Sequence, residues 1–251
     1  LKDGKCPDCG RPVQKGKEES YFFRLSKYAD RILKLYEDNP EFLQPKSRVN
    51  EMVNNFIKPG LQDLCVSRTT INWGIPVTFD EKHTVYVWVD ALTNYITALG
   101  YGMDNNELYN KYWPADVHII GKDILRFHAG IWPAMLLGLN LPLPKNLLAH
   151  GFITVNGEKM SKSIGNVIAP NEILEKHGLI PFRYYFLRHA STTDDADFTW
   201  DKYEASYNEL ANDLGNLVQR LSTLCGKNGV KSLKVEQKDI PEFVERMDKY
   251  E

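Results

Sequence analysis

The chain has 251 residues, 43% of them hydrophobic and 25% charged, with a formal net charge of -2. That composition belongs to a globular protein with one large or two ordinary cores; the charge balance excludes a global basic field for nucleic acid, so any RNA contact has to be a local patch. The longest apolar run, 134–143, contains Asn140 and Pro142 and is too short to span a bilayer, so no membrane is expected, while only four cysteines, with Cys65 and Cys225 lacking obvious partners, fit a reducing cytosol or organelle matrix.

In chain order, Cys6-Pro7-Asp8-Cys9-Gly10 comes first, a CxxC with the proline and glycine of a zinc knuckle. Zinc wants four ligands, and neither a second CxxC nor an HxxxH pair lies nearby. By spacing alone this is half a metal site, a redox pair or a structural turn. His83 is remote and falls in a predicted loop, and Lys15–Glu19 reads as a solvated turn. Residues 20–25 predict a strand, and the spacing of Leu25, Tyr28, Ile32, Leu35 and Tyr36 predicts a helix over 26–38. A second amphipathic helix is expected over 47–57, stopped by Pro59-Gly60, then a strand over 64–70 that carries Arg68.

The run TVYVWVD, 84–90, is apolar at nearly every position and predicts a strand covered on both faces, running into a helix from Ala91. Trp88 and Tyr95 flank that junction. ADVHIIG, 115–121, predicts another buried strand, and the helical spacing of Ile124, Phe127, Ile131 and Met135 comes after it. Gly121-Lys122-Asp123 therefore occupies a strand-to-helix turn at the carboxyl edge of a sheet, where open α/β folds bind nucleotides. Asp123 suits ribose hydroxyls there, or serves as an ordinary carboxylate at a helix start. His128 is, by sequence alone, a buried core histidine as readily as a ligand.

Residues 146–155 predict a strand broken at Asn156-Gly157, and Pro170-Asn171-Glu172 opens a short helix. Between them lies Lys159-Met160-Ser161-Lys162-Ser163, two lysines three apart in a glycine-flanked loop, an arrangement suited to a polyphosphate. The alternation of strand and helix is that of a doubly wound α/β fold. From Asp201 the pattern changes: Tyr203, Tyr207, Leu210, Leu214, Leu217, Leu221 and Leu224 form a heptad-like seam, the start of a helix bundle in which those leucines bury. Asn208, Asn212, Asn216 and Arg220, four apart, form one polar ridge beside it. A further helix is expected over 240–251.

The string KMSKS is the second signature of the class I aminoacyl-tRNA synthetases. Together with CPDCGRPV, EESYFFRLSKY, VSRTTINWGIPV, VYVWVDALTNY, IIGKDILRFHAGIWPAML, HGFITVNGEKMSKSIGNV and DLGNLVQR, it makes the chain resemble the methionyl-tRNA synthetases along essentially its whole length. The resemblance implies a Rossmann-type catalytic fold and two steps: ATP-dependent activation of methionine, then transfer to tRNA(Met). It implies ATP binding by Gly121, Asp123, Lys159, Met160, Ser161, Lys162 and Ser163, with Lys159 and Lys162 catalytic. Methionine binding falls to Trp88, Tyr95 and His128, active-site support to Arg68, and anticodon contact to Asn216 and Arg220. Mg²⁺ comes with the nucleotide, and zinc binding by Cys6 and Cys9 would need further ligands.

The implied division is 1–60, the end of a connective domain; 61–155, the second half of the Rossmann domain; 156–200, the KMSKS loop and linking region; and 201–251, the start of an anticodon-binding bundle. The HIGH signature would precede Leu1, so this stretch alone is expected to be inactive. A non-catalytic RNA-binding piece and another class I synthetase are the rival readings. Oligomeric state is not written in the sequence.

Overall fold

The computed structural model describes residues 4, 12, 13, 16–161 and 165–230. Cys6, Cys9, Lys162, Ser163 and the helix expected over 240–251 lie outside them. The chain divides into two units, Leu1–Phe152 with Ser191–Asp195, and Ile153–Ala190 with Ala196–Glu251.

In the first unit Phe22–Phe23 (β1) leads through a 3-10 turn, Leu25–Tyr28, into the helix Ala29–Asp38 (α1), whose buried residues Ile32 and Tyr36 are the expected face. Leu43–Gln44 (β2) precedes Lys46–Met52 (α2), which continues as a π turn, Val53–Ile57. The expected strand over 64–70 is two short pieces, Leu64–Cys65 (β3) and Ser67–Arg68 (β4); β3 pairs with β1. Pro76–Val77 (β5), β4 and Asp80–Val85 (β6) form an antiparallel sheet with β6 in the middle.

Here the structure corrects the reading of TVYVWVD. The strand ends at Val85, and Val87–Thr97 (α3) is helix, with Val89 and Asp90 N–H groups already bonded to the Tyr86 carbonyl. A short apolar run does not by itself separate strand from helix. The deciding spacing is four: Trp88, Leu92 and Ile96 share a helix face, with Leu92 and Ile96 buried. His83, expected in a loop, lies buried on β6.

After Glu107–Tyr112 (α4) comes Val117–Gly121 (β7), then a 3-10 turn at Lys122–Ile124, a π turn at Phe127–Ile131 and the helix Trp132–Gly138 (α5), and then Asn146–His150 (β8). β7 and β2 both pair parallel with β8, so β7, the helical crossover and β8 make a parallel α/β unit. Its core is large: Trp132, Leu125, Ala129, Leu136 and Leu147 are buried in one cluster with Ile32, Phe42, Leu43 and Met52. In register, Gly121 faces His150, so both strands end at the same carboxyl edge.

The single strand expected over 146–155 is broken. β8 ends at His150 and Ile153–Val155 (β9) starts a sheet of the second unit. At Gly151 a Cβ would lie 2.2 Å from the Asp194 carbonyl carbon, so only glycine permits that close approach. β9 pairs antiparallel with Glu158–Lys159 (β10) and, beyond Pro170–His177 (α6) and Leu179–His189 (α7), parallel with Ala196–Phe198 (β11). The small core is Ile173, Tyr185, Phe198 and Tyr203. Trp200–Glu209 (α8), capped by the Thr199 side chain, runs through a π turn, Leu210–Gly215, into Asn216–Lys227 (α9).

The bundle seam starts as expected, with Tyr203 buried, but Leu214, Leu217, Leu221 and Leu224 are 56–62% exposed among the described residues. The π turn also alters the polar ridge. One extra residue in a turn rotates the downstream helix face by about 100°, so Asn208 does not keep the four-spaced alignment with Asn216 and Arg220. All four ridge residues are exposed.

Candidate active site

At the carboxyl edge of β7, the Asp123 carboxylate folds back over Gly121, so that a Cβ there would sit 2.6 Å from Asp123 Oδ1 and would turn that exposed side chain aside. The chain thus brings a carboxylate against bare backbone, a geometry open to a hydroxyl-bearing ligand. Asp123 is exposed in the first turn of the helix. Its neighbour Lys122 is committed elsewhere: Nζ lies 2.7 Å from Asp195 and 4.5 Å from the centre of the Phe152 ring. Lys122, and then the Phe152 N–H at 2.8 Å, hold the Asp195 carboxyl below its ordinary range.

Beside this edge the structure brings Tyr95 and His128 together. The Tyr95 hydroxyl is 2.8 Å from His128 Nε2, and His128 Nδ1 is 3.1 Å from the Ile124 carbonyl. A carbonyl only accepts, so Nδ1 carries the proton. Burial holds the imidazole below its ordinary range and hence neutral, so Nε2 accepts from Tyr95. Tyr95 is 37% exposed, so the pair presents an aromatic face backed by a fixed dipole. Trp88 stacks on Phe127 with ring centres 3.7 Å apart and planes at 13°. Phe127 and His128 both sit in the π turn, an irregularity frequent at functional sites.

Sequence reasoning misses His118, which by pattern is one polar residue on a buried strand. It is 6% exposed, its ring lies 4.3 Å from Tyr95, and its Nε2 has no hydrogen-bond partner. Burial first, and His128 second, hold its pKa down at about 4 against an ordinary 6.5. Between those values the unfolded chain binds more protons than the folded one, so stability falls as pH drops through the window. A group shifted by that much contributes about 3 kcal/mol once both forms are charged. Urea midpoints measured from pH 7 to pH 4 are expected to fall steeply in the wild type and less in His118→Phe. Equal slopes would show that His118 does not carry the effect.

Arg68 is 3.0 Å from Glu18 and lies over the Tyr86 ring at 5.0 Å. Glu18, expected in a solvated turn, instead accepts from Thr69 N–H at 2.8 Å and from Thr70 N–H and hydroxyl at 3.0 and 2.8 Å. Those bonds, the Thr70 amide first, lower its pKa to about 2. A charged residue in a polar turn gives no sequence sign of a contact some fifty positions away. Ser67, His83 and Asp80 have the residue types of a hydrolytic triad, with Ser67 Oγ 2.9 Å from His83 Nδ1 and Nε2 3.7 Å from Asp80. Ser67 and His83 are buried and the hydroxyl accepts the Tyr21 N–H at 2.8 Å, so the trio braces β4 on β6 and offers no accessible nucleophile.

The second unit holds the KMSKS stretch. Asn156 and Gly157, at φ 51° and 80°, turn β9 into β10 as a two-residue hairpin. Asp197 pins it, accepting from Gly157 N–H at 2.6 Å and Thr154 hydroxyl at 2.8 Å, and the Gly157 bond is the chief reason its carboxyl titrates low. Lys159 ends β10 exposed, and Met160 and Ser161 come next, half-buried. Asn216 and Arg220 sit on α9, exposed, in the same unit. Gly121, Asp123, Trp88, Tyr95, His128 and Arg68 belong to the first unit and Lys159, Met160 and Ser161 to the second. Among the described residues, no three His, Cys, Asp or Glu side chains group to hold a metal ion, and no helix is long and apolar enough to cross a membrane.

A family model described as tRNA synthetases class I (M) matches residues 1–222. A methionine–tRNA ligase of Clostridium acetobutylicum is 60% identical over 228 residues, covering 90% of this chain and 35% of that protein. One from Bacillus subtilis is 58% identical over 225 residues, covering 89% and 34%. The chain therefore spans about a third of the length of these curated relatives. Among solved structures, Mycobacterium tuberculosis methionyl-tRNA synthetase in complex with methionyl-adenylate superposes with a TM-score of 0.80 at 45% identity, covering 88% of this chain and 43% of that one.

Proposed function

The chain belongs to the class I (M) tRNA synthetase family, and from that membership we propose that the protein activates methionine with ATP and transfers it to tRNA(Met). The observation that carries the reading is the 60% identity over 228 residues to a methionine–tRNA ligase. The methionine carboxylate attacks the α-phosphate of ATP and pyrophosphate leaves, giving methionyl-adenylate; a hydroxyl of the terminal ribose of tRNA then attacks the methionyl carbonyl, forming the ester and releasing AMP. Gly121 and Asp123 receive the ATP ribose. Trp88, Tyr95 and His128 line the methionine side chain, whose polarizable thioether suits aromatic walls. Lys159, Met160, Ser161, Lys162 and Ser163 meet the phosphates, and Lys159 and Lys162 offset charge on the departing pyrophosphate. Arg68, with Glu18, braces the strand before α3.

Mg²⁺ carried by the nucleotide would neutralise phosphate charge, and Cys6 and Cys9 would offer two thiolates to a zinc knuckle completed by other ligands. The domain reading goes with this: 1–60 connective, 61–155 catalytic, 156–200 KMSKS and linking, 201–251 anticodon-binding. Cys65 and Cys225 are free thiols, in keeping with a cytoplasmic site of action.

The full-length gene product is expected to catalyse methionine-dependent ATP–pyrophosphate exchange, with leucine and isoleucine inactive as replacements. Absence of exchange, or exchange with leucine in place of methionine, would sink the reading. On α9, Asn216 offers donor and acceptor to a base edge and Arg220 a stacking or phosphate-binding plane. Asn216→Ala and Arg220→Ala are therefore expected to lower charging of tRNA(Met) about tenfold or more, each good bidentate contact being worth roughly 1–3 kcal/mol, and to leave exchange near normal. Unchanged charging would make that face a solvated one.

A further inference from the structure

In the second unit Asn166 reaches back across the KMSKS neck. Its Oδ1 accepts the Ser161 N–H at 2.8 Å and its Nδ2 donates to the Lys159 carbonyl at 3.2 Å. The two bonds fix the amide's orientation, because an N–H only donates and a carbonyl only accepts. A single side chain thus supplies the donor and acceptor pattern that a neighbouring strand would give the backbone on either side of Met160. The Gly165 N–H, at φ 76°, adds a bond to the Ser161 carbonyl at 3.0 Å.

The residue between the two clamped groups has its own anchor. Met160 lines an apolar cavity of about 240 Å³ with Ile153, Val155, Ile173 and Phe198. In extended backbone, neighbouring side chains take opposite faces, and here Met160 is turned to the apolar cavity while Lys159 is exposed. Backbone held by Asn166 and side chain held by the cavity together set where the Lys159 ammonium starts from.

We propose that Asn166 is a positioning residue for adenylate formation, holding the Lys159–Ser161 backbone so that the Lys159 ammonium starts close to where it meets the phosphates. This rests on the proposed synthetase activity. A group that is already in place costs nothing to move at the moment of reaction, so loss of the clamp acts on rate and on ATP rather than on methionine.

The experiment is Asn166→Ala in the full-length protein, with Asn166→Asp as second variant: Asp keeps the acceptor for Ser161 and loses the donor to Lys159. In Asn166→Ala, kcat for methionine-dependent exchange is expected to fall about 10–100-fold, with the KM for methionine within about twofold and the KM for ATP raised. Hydrogen exchange at the Ser161 amide is expected to speed up about tenfold or more in Ala, and less in Asp, which keeps that bond. Wild-type kcat in both variants overturns the proposal, as does a methionine KM that worsens in step with kcat, the mark of a general folding defect. If the Ala variant does not fold, the Asp variant, which loses the bond to the Lys159 carbonyl, decides by kcat and the two KM values. A wild-type protein without exchange activity would defeat the functional reading by itself, while unaltered Ser161 protection in Asn166→Ala would defeat the clamp.

Discussion

Replacing Lys162 with alanine in the full-length protein is expected to slow methionine-dependent ATP–pyrophosphate exchange by about 30- to 1000-fold while methionine affinity stays within a few-fold. That range is the roughly 2–4 kcal/mol lost on deleting one preorganised charge-stabilising donor. Lys162 lies outside the described residues, so its part rests on its place in the loop string and on charge. In the proposed reaction, negative charge builds up as pyrophosphate leaves, and a cation that meets it mainly in the transition state shows in kcat more than in substrate affinity. Lys159→Ala is expected to give a smaller loss of the same kind. Parallel losses in methionine affinity and rate would point to a folding or binding defect and remove Lys162 from the chemistry.

How much of this fold is legible in the sequence depends on how local the deciding forces are. The helices after Ala29 and Trp200 are legible because four-three spacing is written within a dozen or so residues, and Val117–Gly121 is legible as a strand from its apolar run; that run also suggests burial on both faces, whereas Val117 and Ile119 are exposed and His118 and Ile120 are the buried pair. The run TVYVWVD misleads because its valines favour a pleated strand, and the Trp88–Leu92–Ile96 spacing that makes it helix extends past its end. The break at Gly151 depends on the backbone of Asp194, which no local pattern announces.

The site divides the same way. Gly121, Asp123 and the KMSKS residues carry motif signals, and the structure places the described ones at a strand edge and at a hairpin end. Trp88, Tyr95 and His128 are ordinary core residues by pattern, and only the family resemblance singles them out. The 2.8 Å bond between Tyr95 and His128 comes from a tertiary contact. Asn166 is invisible as a clamp, since an Asn after a Gly reads as turn chemistry. The π turns at Phe127–Ile131 and Leu210–Gly215 leave no residue signature at all.

The second large effect concerns methionine selection. Trp88→Ala in the full-length protein is expected to weaken methionine binding about 10- to 100-fold, read from the KM for methionine or from equilibrium binding, and to leave kcat at saturating methionine within a few-fold. The indole is half-buried, stacked on Phe127 at 3.7 Å, and stands on α3 two turns before the Tyr95 hydroxyl that caps His128. Truncation removes the apolar wall and also frees Phe127 to leave its position; aromatic pairs are worth about 0.5–1.5 kcal/mol beyond their burial. Phe127→Ala should therefore repeat part of the loss, and the double variant should lose less than the sum, because the two rings act through one stack. Trp88→Phe, which keeps a ring on Phe127, is expected to recover part of the affinity. If Trp88→Ala leaves methionine affinity intact in a folded, active protein, the stack is core packing and methionine must be recognised elsewhere. If the double variant loses the full sum, Trp88 meets methionine on its own and the stack has no part in selection.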